Sequence, residues 1–302
     1  MGGAVTTGGL ALREDERIKT WFRVGGAARR LARPASLEQL SECLSIDPAA
    51  RILGDGANLL VHDGGVEELV VDLSDPAFRA VGFEGDRVVA AAGARLPVLI
   101  GRAVSLGLGG LEGLAGIPAS VGGAVVMNAG GVFGEIGDVV ERVHALRRDG
   151  ERVTLERDQI GFGYRRSGLG GLVVTSVELR LEPGDREALR ARRDECMAHK
   201  KASQPLDASS AGCCFKNPTL EADLDEIGAA GRRVSAGLLL DRAGCKRLGV
   251  GGAHVSERHA NFVVTTRDAR ASDVIGLMEE MAGRVRDRFG VGLEREVVVW
   301  GA

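Results

Sequence analysis

The sequence predicts an α+β protein made of three packed units, and three observations support this. The chain has 302 residues, enough for two or three such units. Short β-branched or apolar runs separated by glycine-rich turns indicate strands, and amphipathic segments with capping residues indicate helices. With 44% hydrophobic and 27% charged residues, the composition is that of an ordinary soluble globular protein. Fibrous, disordered and membrane classes are therefore not favoured.

The first unit, residues 1–76, is predicted to combine several strands with one helix. The helix is "SLEQLSECL", in which Ser36 and Gln39 are expected to form a capping box and leucines recur at helical spacing. The runs "ARILG", "LLVHD" and "ELVVDL" indicate strands. The unit is expected to end near Asp75 and Pro76.

The second unit, residues 77–183, begins with the predicted strand "DRVVAAAG". A helix from Leu96 to Leu106 is expected to end at Gly107. The uncharged, glycine-rich stretch that follows indicates a buried loop folded over something. Asp149-Gly150 predicts a β-hairpin, and "LGGLVVTSVELRL" predicts a further strand.

The third unit, residues 184–302, begins where Pro183 and Gly184 break the chain. A charged helix follows with Asp185 as its N-cap, and a second helix is expected between Ser235 as N-cap and Gly244 as C-cap. A third helix, predicted over 272–289 and ending at Gly290, presents an apolar face formed by Val274, Ile275, Met278, Met281 and Val285.

Charge and hydropathy narrow the possible partners. The net charge of -3 is the difference between 39 basic and 42 acidic residues, without a run of like charge, so nucleic-acid binding is not favoured. The start has no basic segment followed by an apolar one, and no apolar run reaches the roughly 18 residues of a membrane helix. These features predict a cytoplasmic protein that binds neither nucleic acid nor membrane, and they leave the oligomeric state open.

The five cysteines, an odd number at irregular spacing, indicate reduced thiols. Cys213 and Cys214 are adjacent, so their Cα atoms are about 3.8 Å apart, below the usual disulfide range of about 4.4 to 6.8 Å. Cys196 and His199 are the only pair near metal-ligand spacing, whereas structural zinc needs four ligands, so no metal is expected. The absence of a GxSxG elbow argues against a serine hydrolase.

Three segments carry candidate chemistry, each with a plainer alternative. "GDGANLL", Gly54 to Leu60, offers backbone N–H groups that suit a diphosphate, or it is simply a turn between strands. "AGIPASVGGAVVMNAGG", with the lone Asn128, suits a cofactor bound by main-chain donors, or it is a tightly packed turn. "FGYRRSGL" either forms a surface cation–π pair or uses an arginine to hold an anion.

Eight segments, taken in order between residues 20 and 297, carry a resemblance to one known family. They are "TWFRVGGAA", "LGDGANLLV", "GLEGLAGIPASVGGAVVMNAG", "FGYRRS", "QPLDASSAGCCFKNP", "SAGLLLDRAG", "GGAHVSERHANFVV" and "LEREV". The chain resembles the UDP-N-acetylenolpyruvoylglucosamine reductase family, also called UDP-N-acetylmuramate dehydrogenase or MurB. The likeness covers nearly the whole chain.

The resemblance implies a flavoprotein with an FAD-binding module of the vanillyl-alcohol-oxidase (PCMH) type. Residues 1–76 and 77–183 would be its two FAD-binding subdomains, and residues 184–302 a substrate-binding domain. The implied reaction belongs to peptidoglycan precursor synthesis: NADPH reduces FAD, and the reduced flavin gives hydride to the enolpyruvyl group of UDP-N-acetylglucosamine enolpyruvate. The product is the lactyl ether of UDP-N-acetylmuramate.

The resemblance also assigns roles to individual residues. The implied catalytic residues are Arg165, Cys213 and Glu296, and the implied substrate contacts are Tyr164, Lys216, Asn217 and His259. The implied flavin-binding residues are Gly54, Asp55, Gly56, Ala57, Asn58, Leu59, Gly116, Ile117, Pro118, Ser120, Val121, Gly122, Gly123 and Ala124.

The chain departs from the family at Cys213, because most members have a serine there as the acid. A thiol, with an ordinary pKa of about 8.5, is mostly protonated at pH 7 and is a stronger acid than an alcohol, so the change keeps a proton donor. Cys214 is expected to pack as a small apolar residue. Glu296 is expected either to be protonated or to orient Arg165 or a water. The chain also lacks a long insertion after "FGYR", as a compact subtype would.

Two other functions are compatible with parts of this pattern. An FAD oxidase or dehydrogenase of the same fold would act on another substrate, but "AGCCFKNP" and "LEREV" argue against it. A flavin-binding or thiol-based redox sensor would use the cysteine pair, but the retained Arg165 and Glu296 argue against that.

Overall fold

A computed structural model describes residues 4–7 and 10–301. Its strands, numbered along the chain, are β1 Ala4–Thr7, β2 Leu10–Arg17, β3 Ala27–Ala32, β4 Arg51–Leu53, β5 Leu59–Val61, β6 Val70–Asp72, β7 Val81–Glu84, β8 Arg87–Ala91, β9 Leu108–Gly109, β10 Gly130–Gly131, β11 Gly134–Glu135, β12 Val140–Leu146, β13 Arg152–Glu156, β14 Val173–Arg180, β15 Glu182–Pro183, β16 Gly249–Val250, β17 Ala253–Val255, β18 Val263–Thr265 and β19 Val298–Trp300. The α-helices are α1 Leu37–Ile46, α2 Leu96–Leu106, α3 Val121–Val126, α4 Arg186–Ser203, α5 Ala236–Arg242 and α6 Ala271–Phe289. The outermost ends of the predicted domains, residues 1–3 and 302, lie outside the described residues.

The chain divides by its contacts into two compact units. The first comprises the described residues up to Glu16, Ala28–Asp55 and Glu67–Lys200. The second comprises Arg17–Ala27, Gly56–Val66 and the described residues from Lys201 onward. Each unit is therefore assembled from segments that are distant in the sequence. The division into 1–76, 77–183 and 184–302 stays a prediction.

The first unit is built on two five-stranded sheets. One has the order β1-β2-β3-β6-β4, in which β3 and β4 pair with β6 in parallel. The other is antiparallel, with the order β13-β12-β14-β8-β7. One apolar cluster fills this unit and includes the buried faces of α1 and α2. Each fully buried leucine of such a core contributes about 1.5–3 kcal/mol.

Helix α1 forms where the leucine spacing predicts it, but its cap differs in one contact. The Ser36 hydroxyl accepts from the Gln39 N–H at 3.2 Å, as expected. The Gln39 side chain accepts from the Ala35 N–H at 2.8 Å rather than from Ser36. The predicted capping box is thus wrong by one residue, because the flexible glutamine side chain reaches the donor just outside the helix.

The stretch predicted as a buried loop contains a short helix, α3. Ser120 is its N-cap and accepts from the Gly123 N–H at 3.3 Å. A Cβ atom at Gly122 would lie 2.8 Å from the Ala92 Cβ, so glycine is needed for the helix to pack this closely. Gly122, which belongs to the glycine-rich stretch that predicted a loop, is thus required by the packing of this helix.

The second unit packs helices α5 and α6 against short strands. β16, β17 and β18 form an antiparallel sheet, and β5 pairs in parallel with β19. The core face of α6 includes Val274 and Met278, with Leu277 fully buried, whereas the predicted core residue Ile275 is only half-buried. The helical period was predicted correctly, but the centre of its buried face was not.

The ends of these helices refine the predictions. Helix α5 has Ala243 as its C-cap, and Gly244, with φ of 75°, follows it. Helix α6 begins at Ala271, one residue earlier than predicted. Its first N–H groups are capped by the Asp63 carboxylate, which accepts from Ala271 at 2.8 Å and from Ser272 at 3.0 Å. None of the helices in the described part of the chain has the length and apolar character needed to cross a membrane.

Candidate functional site

The loop Gly54–Asn58 offers a row of main-chain donors. Within the described residues, none of its five N–H groups donates a hydrogen bond to another residue. Gly56 has a left-handed φ of 63°, which side chains rarely adopt. A loop with open N–H groups and little side-chain bulk suits an anion such as the diphosphate of FAD.

The second predicted flavin loop, Gly116–Ala124, adds further donors. The N–H groups of Val121 and Gly122 donate to main-chain oxygens of residues 94 and 92 at 2.8 Å, which fixes the loop. Those of Gly116, Ala119 and Ser120 donate to no other described residue. Each of the two loops, taken by itself, therefore offers main-chain donors of the kind that bind an anion.

Gly54 and Ser120 bring the two predicted flavin loops together inside the first unit. A Cβ atom built on Gly54 would lie 2.2 Å from the Ser120 Oγ. Next to Gly54, the Asp55 carboxylate lies 3.6 Å from the Arg95 guanidinium. Burial raises the pKa of Asp55, and the charge of Arg95 opposes that rise. Arg95 thus offsets a negative charge that would otherwise repel an anionic ligand.

Arg165 lies at the tip of a tight turn held by Asn128. Gly163 and Arg166 exchange main-chain hydrogen bonds at 3.0 and 3.1 Å, and Arg165 between them has a left-handed φ of 54°. The buried Asn128 donates to the Gly163 oxygen at 3.1 Å and accepts from the Gly137 N–H at 3.0 Å. The sequence singled out Asn128 as a cofactor-loop residue, and the structure shows that it anchors the turn that carries Arg165.

The side chains of this turn are also held. The Arg165 Nη1 donates to the Gly130 oxygen at 2.9 Å, and its Cζ lies 5.4 Å from the Tyr164 ring centroid. The cation–π pair weighed against an anion clamp is therefore present, and it leaves the guanidinium half-buried at a defined place. A fixed guanidinium is suited to stabilise negative charge as it develops.

Lys200, near the end of α4, lies beside the second predicted flavin loop, and the sequence analysis did not predict it as a site residue. Its Nζ donates to the Ala115 oxygen at 2.6 Å, and its stem packs on Gly116, the first residue of the second flavin loop. Burial, with a smaller contribution from the charge of Arg165, lowers the pKa of Lys200 from 10.5 to about 8. The lysine-rich end of "MAHKK" was the only signal in the sequence.

Cys213 and Glu296 lie on neighbouring extended segments of the second unit. The Lys216 N–H donates to the Glu294 oxygen at 2.9 Å, and the Glu296 N–H donates to the Cys214 oxygen at 2.8 Å. The backbone thereby fixes two predicted catalytic residues on paired segments.

Asn261 anchors the other side of the cysteine segment. The Cys214 N–H donates to its main-chain oxygen at 2.8 Å, and its buried side chain binds both the N–H and the oxygen of Phe215, at 3.0 and 2.8 Å. Such a buried, satisfied amide fixes the backbone of the two residues that follow Cys213. Sequence reasoning missed Asn261, although it lies in the quoted "HANFVV".

The two adjacent thiols differ sharply in exposure. Cys214 is fully buried, and burial raises its pKa to about 12. Cys213 is half-buried, and none of the five cysteines, all of which lie in the described part of the chain, forms a disulfide. The prediction that Cys214 packs in the core is confirmed by its burial.

The predicted substrate residues Lys216 and Asn217 are held in place by their neighbours. The Lys216 Nζ lies 2.6 Å from the Glu294 carboxylate, on the segment that carries Glu296. The Asn217 side-chain oxygen accepts from the Ala236 N–H at 2.9 Å, at the start of α5. Both side chains are therefore tied to elements of the second unit.

His259 packs against the same helix as a neutral ring. Its Nδ1 accepts from the Asn261 N–H at 3.2 Å, so the proton of the neutral imidazole lies on Nε2. Burial lowers the pKa of His259, and the charge of Lys246 adds to this effect. Gly237 makes room for the ring, since a Cβ atom there would lie 2.9 Å from His259 Cε1.

Comparisons with known proteins agree with this arrangement. The family model described as "FAD binding domain" matches residues 28–156, and that described as "UDP-N-acetylenolpyruvoylglucosamine reductase, C-terminal domain" matches residues 204–300. A reductase of the latter name from Moorella thermoacetica is 44% identical over 94% of this chain and 91% of its own. One from Bradyrhizobium is 39% identical over 96% and 92%.

A solved structure gives the same answer. The crystal structure of UDP-N-acetylenolpyruvylglucosamine reductase (MurB) from Thermus caldophilus matches with a TM-score of 0.80 and 40% identity, covering 93% of this chain and 96% of that one. The fold, the two glycine-rich loops and the domain match together define an FAD-binding protein of mixed α and β structure. The chain belongs to the UDP-N-acetylenolpyruvoylglucosamine reductase family. The predicted family, fold class and flavin cofactor are thereby confirmed.

Proposed function

We propose that this chain catalyses the NADPH-dependent reduction of UDP-N-acetylglucosamine enolpyruvate to UDP-N-acetylmuramate, a step of peptidoglycan precursor synthesis. The observation that carries the proposal is the relationship to reductases of this name over at least nine-tenths of both chains. The paired segments that carry Cys213 and Glu296 support it, because they supply groups that can handle protons. Substrate and NADPH are small molecules, and we predict a cytoplasmic location.

The two glycine-rich loops would hold the cofactor. Gly54–Asn58 offers open N–H donors for its diphosphate, and the loop from Gly116 offers more. When bound, FAD supplies the hydride relay between NADPH and the enolpyruvyl β-carbon. Arg95 beside Asp55 reduces the repulsion between that carboxylate and the anionic cofactor.

Arg165 would stabilise the charge that the reaction creates. Addition of hydride to the β-carbon places negative charge on the α-carbon and its carboxylate, and a fixed cation lowers the energy of that state. Asn128 and Gly130 hold the turn and the guanidinium in one arrangement. This preorganisation means that little reorientation is needed when the charge appears.

Cys213 would donate the proton that completes the reaction at the α-carbon. Its thiol is half-buried, and its backbone is fixed by the paired segments and by Asn261. Glu296, on the facing segment, would orient a proton-bearing group or carry a proton itself. Lys216, Asn217, Tyr164 and His259 would contact the UDP-sugar.

A direct assay tests the activity. The purified protein should show a flavin absorption spectrum and should oxidise NADPH faster when UDP-N-acetylglucosamine enolpyruvate is added. An oxidase of another substrate would instead consume NADPH or oxygen without responding to this sugar. The absence of sugar-dependent NADPH oxidation in the FAD-loaded protein would reject the proposal.

The role of Cys213 predicts different behaviour for the two half-reactions. Cys213→Ala should leave the reduction of the flavin by NADPH nearly unchanged and should slow turnover of the sugar by about 10²–10⁴-fold, the usual contribution of a general acid. Cys213→Ser should retain measurable turnover, because the alcohol can also donate a proton. Stopped-flow absorbance follows the first half-reaction, and steady-state NADPH oxidation follows the whole.

A buried thiol in the same unit provides the control. Cys245 is fully buried within the core of the second unit, so Cys245→Ala should lower stability without separating the two half-reactions. If Cys213→Ala turned over the sugar at the wild-type rate, another group would have to be the proton donor.

A further inference from the structure

Asn58 occupies an unusual place beside a strand ladder of the second unit. It immediately precedes β5, in which Leu59 pairs with Val298 of β19. One residue back in the same register, Asn58 lies opposite Val297. In a parallel ladder, alternate residues of a strand donate to the carbonyl before their partner and accept from the N–H after it.

The hydrogen bond that the Asn58 oxygen accepts follows that rule, as do those further along β5. The hydrogen bond that the Asn58 N–H should donate does not. The His62 N–H donates to the Trp300 oxygen at 2.8 Å, and the Val298 N–H donates to the Asn58 oxygen at 3.0 Å, as the register requires. The same register calls for the Asn58 N–H to donate to the Glu296 oxygen. That oxygen instead accepts from the Asn58 side-chain Nδ2 at 2.9 Å.

The substitution of one donor for another has two results. The Glu296 carbonyl is satisfied and its main chain is tied to the loop, although the strand ladder has locally ended. At the same time, the Asn58 main-chain N–H donates to no other described residue and joins the open donors of Gly54–Ala57. A side-chain donor such as the Asn58 amide is needed here, because only a donor can face a carbonyl oxygen.

We propose that the Asn58 side chain takes the place of its own main-chain N–H in the ladder, thereby freeing that N–H for the diphosphate of a dinucleotide. In the same contact it acts as a positioning residue for the Glu296 main chain. The inference rests on the proposed function for the identity of the ligand. The hydrogen-bond exchange itself concerns the protein alone.

Hydrogen–deuterium exchange of the Asn58 main-chain N–H in the apoprotein tests whether the side chain has replaced it as the donor to Glu296. In the wild type, this amide should show little protection. In Asn58→Ala, the main-chain N–H can return to the Glu296 oxygen, and the protection factor at position 58 should rise by about tenfold or more, the equivalent of one ladder hydrogen bond. Asn58→Asp, which is isosteric but cannot donate, should also raise protection.

Titration of the same apoproteins with FAD tests the consequence for the ligand. Asn58→Ala should bind FAD about tenfold more weakly, since one charge-assisted hydrogen bond is recaptured by the protein. Gln159→Ala is the matched control, because it removes an amide side chain that accepts from the Glu156 N–H at 2.8 Å on the surface. This control should change neither the exchange at position 58 nor the FAD affinity.

The outcomes separate this inference from the proposed function. Unchanged protection at position 58 in both variants would overturn the exchange of donors, whatever the enzyme reduces. A rise in protection without any loss of FAD affinity would overturn the role of the freed N–H. If the wild type bound FAD but did not reduce the enolpyruvyl sugar, the proposed function would fail. The rise in protection at position 58 and the loss of FAD affinity in Asn58→Ala would still be expected.

Discussion

At the scale of single residues, Lys200 has a buried contact and a lowered pKa that no sequence motif indicates. The Lys200 side chain is half-buried: its ammonium group donates to the Ala115 oxygen, and its alkyl stem lies against Gly116. The positive charge of Arg165 also acts on it. Keeping it charged there is costly, because the protein solvates an ammonium less well than water does. The cost appears as a pKa of about 8.

This pKa predicts a pH-dependent difference in stability between the wild type and Lys200→Met. Between pH 8 and 10.5 the unfolded chain holds the Lys200 proton and the folded chain has lost it, so the stability of the wild type rises with pH relative to the variant. Below pH 8 the folded wild type carries the full cost of burying the charged lysine. The stability of Lys200→Met relative to the wild type should therefore be highest there. Urea unfolding at pH 7 and at pH 10 measures the change.

The neighbouring lysine supplies the comparison for that experiment. Lys201 is exposed, so Lys201→Met, measured at the same two pH values, gives the effect of replacing a lysine that is not buried. A difference between wild type and Lys200→Met that is the same at both pH values would show that Lys200 is not desolvated in the folded protein.

At the scale of elements, the contact between the two flavin loops is set by Gly54 and Ser120. A methyl group at position 54 would lie 2.2 Å from the Ser120 Oγ, so Gly54→Ala should destabilise the protein by about 1–3 kcal/mol, as overpacking does. Ser120→Ala removes the cap of α3 and should cost about 1 kcal/mol. Thermal unfolding of the apoproteins measures both.

The double variant tests whether the contact itself is responsible. With the Ser120 hydroxyl removed, the nearest atom to the new methyl group is the Ser120 Cβ at 3.2 Å, so the cost of Gly54→Ala should fall. Strictly additive losses in the double variant would mean that Gly54 is required for a reason other than this contact.

Local sequence predicted the longer helices and most of their caps, and it missed the contacts that come from distant parts of the chain. Helix α2 has the predicted bounds, since its leucines, its Pro97 and the left-handed Gly107 all act within a few residues. Helix α6 is different, because its first turn is capped by Asp63, more than 200 residues earlier in the chain. No pattern near Ala271 could have indicated that carboxylate.

The same limit applies to the candidate site. Cys213, Arg165 and Glu296 could be singled out because they lie in recognisable segments. Asn261 and Lys200 act through contacts with residues 46 and 85 positions away, and such contacts appear only in the folded chain. Asn58 was predicted to bind the flavin, but its side-chain contact with the Glu296 carbonyl was not predictable from "GDGANLL".

At the scale of the whole molecule, the second unit depends on segments from the beginning of the chain. Phe22 and Leu60 are fully buried in its core, and β19 has β5 as its pairing partner. A fragment of residues 184–302 therefore lacks two large core side chains, each contributing about 1.5–3 kcal/mol, and a strand. Against a typical stability of about 5–15 kcal/mol, these losses are severe.

The fragment 184–302 should accordingly show no cooperative thermal transition by circular dichroism, whereas the full chain should. The reason is that the missing residues belong to the interior and not to a peripheral layer. A fragment that melted cooperatively, with protected amides in α6, would show that the predicted third domain folds on its own.

The pairing of β5 with β19 also has a consequence for synthesis on the ribosome. Asn58 meets Glu296 across 238 residues of sequence, so β5 leaves the ribosome long before its partner exists. At about 5–20 residues per second, the wait is on the order of 10–50 seconds. During that time the Leu59–Val61 segment exposes apolar side chains and open backbone groups, so the cell must keep the nascent chain from aggregating until its last residues are made.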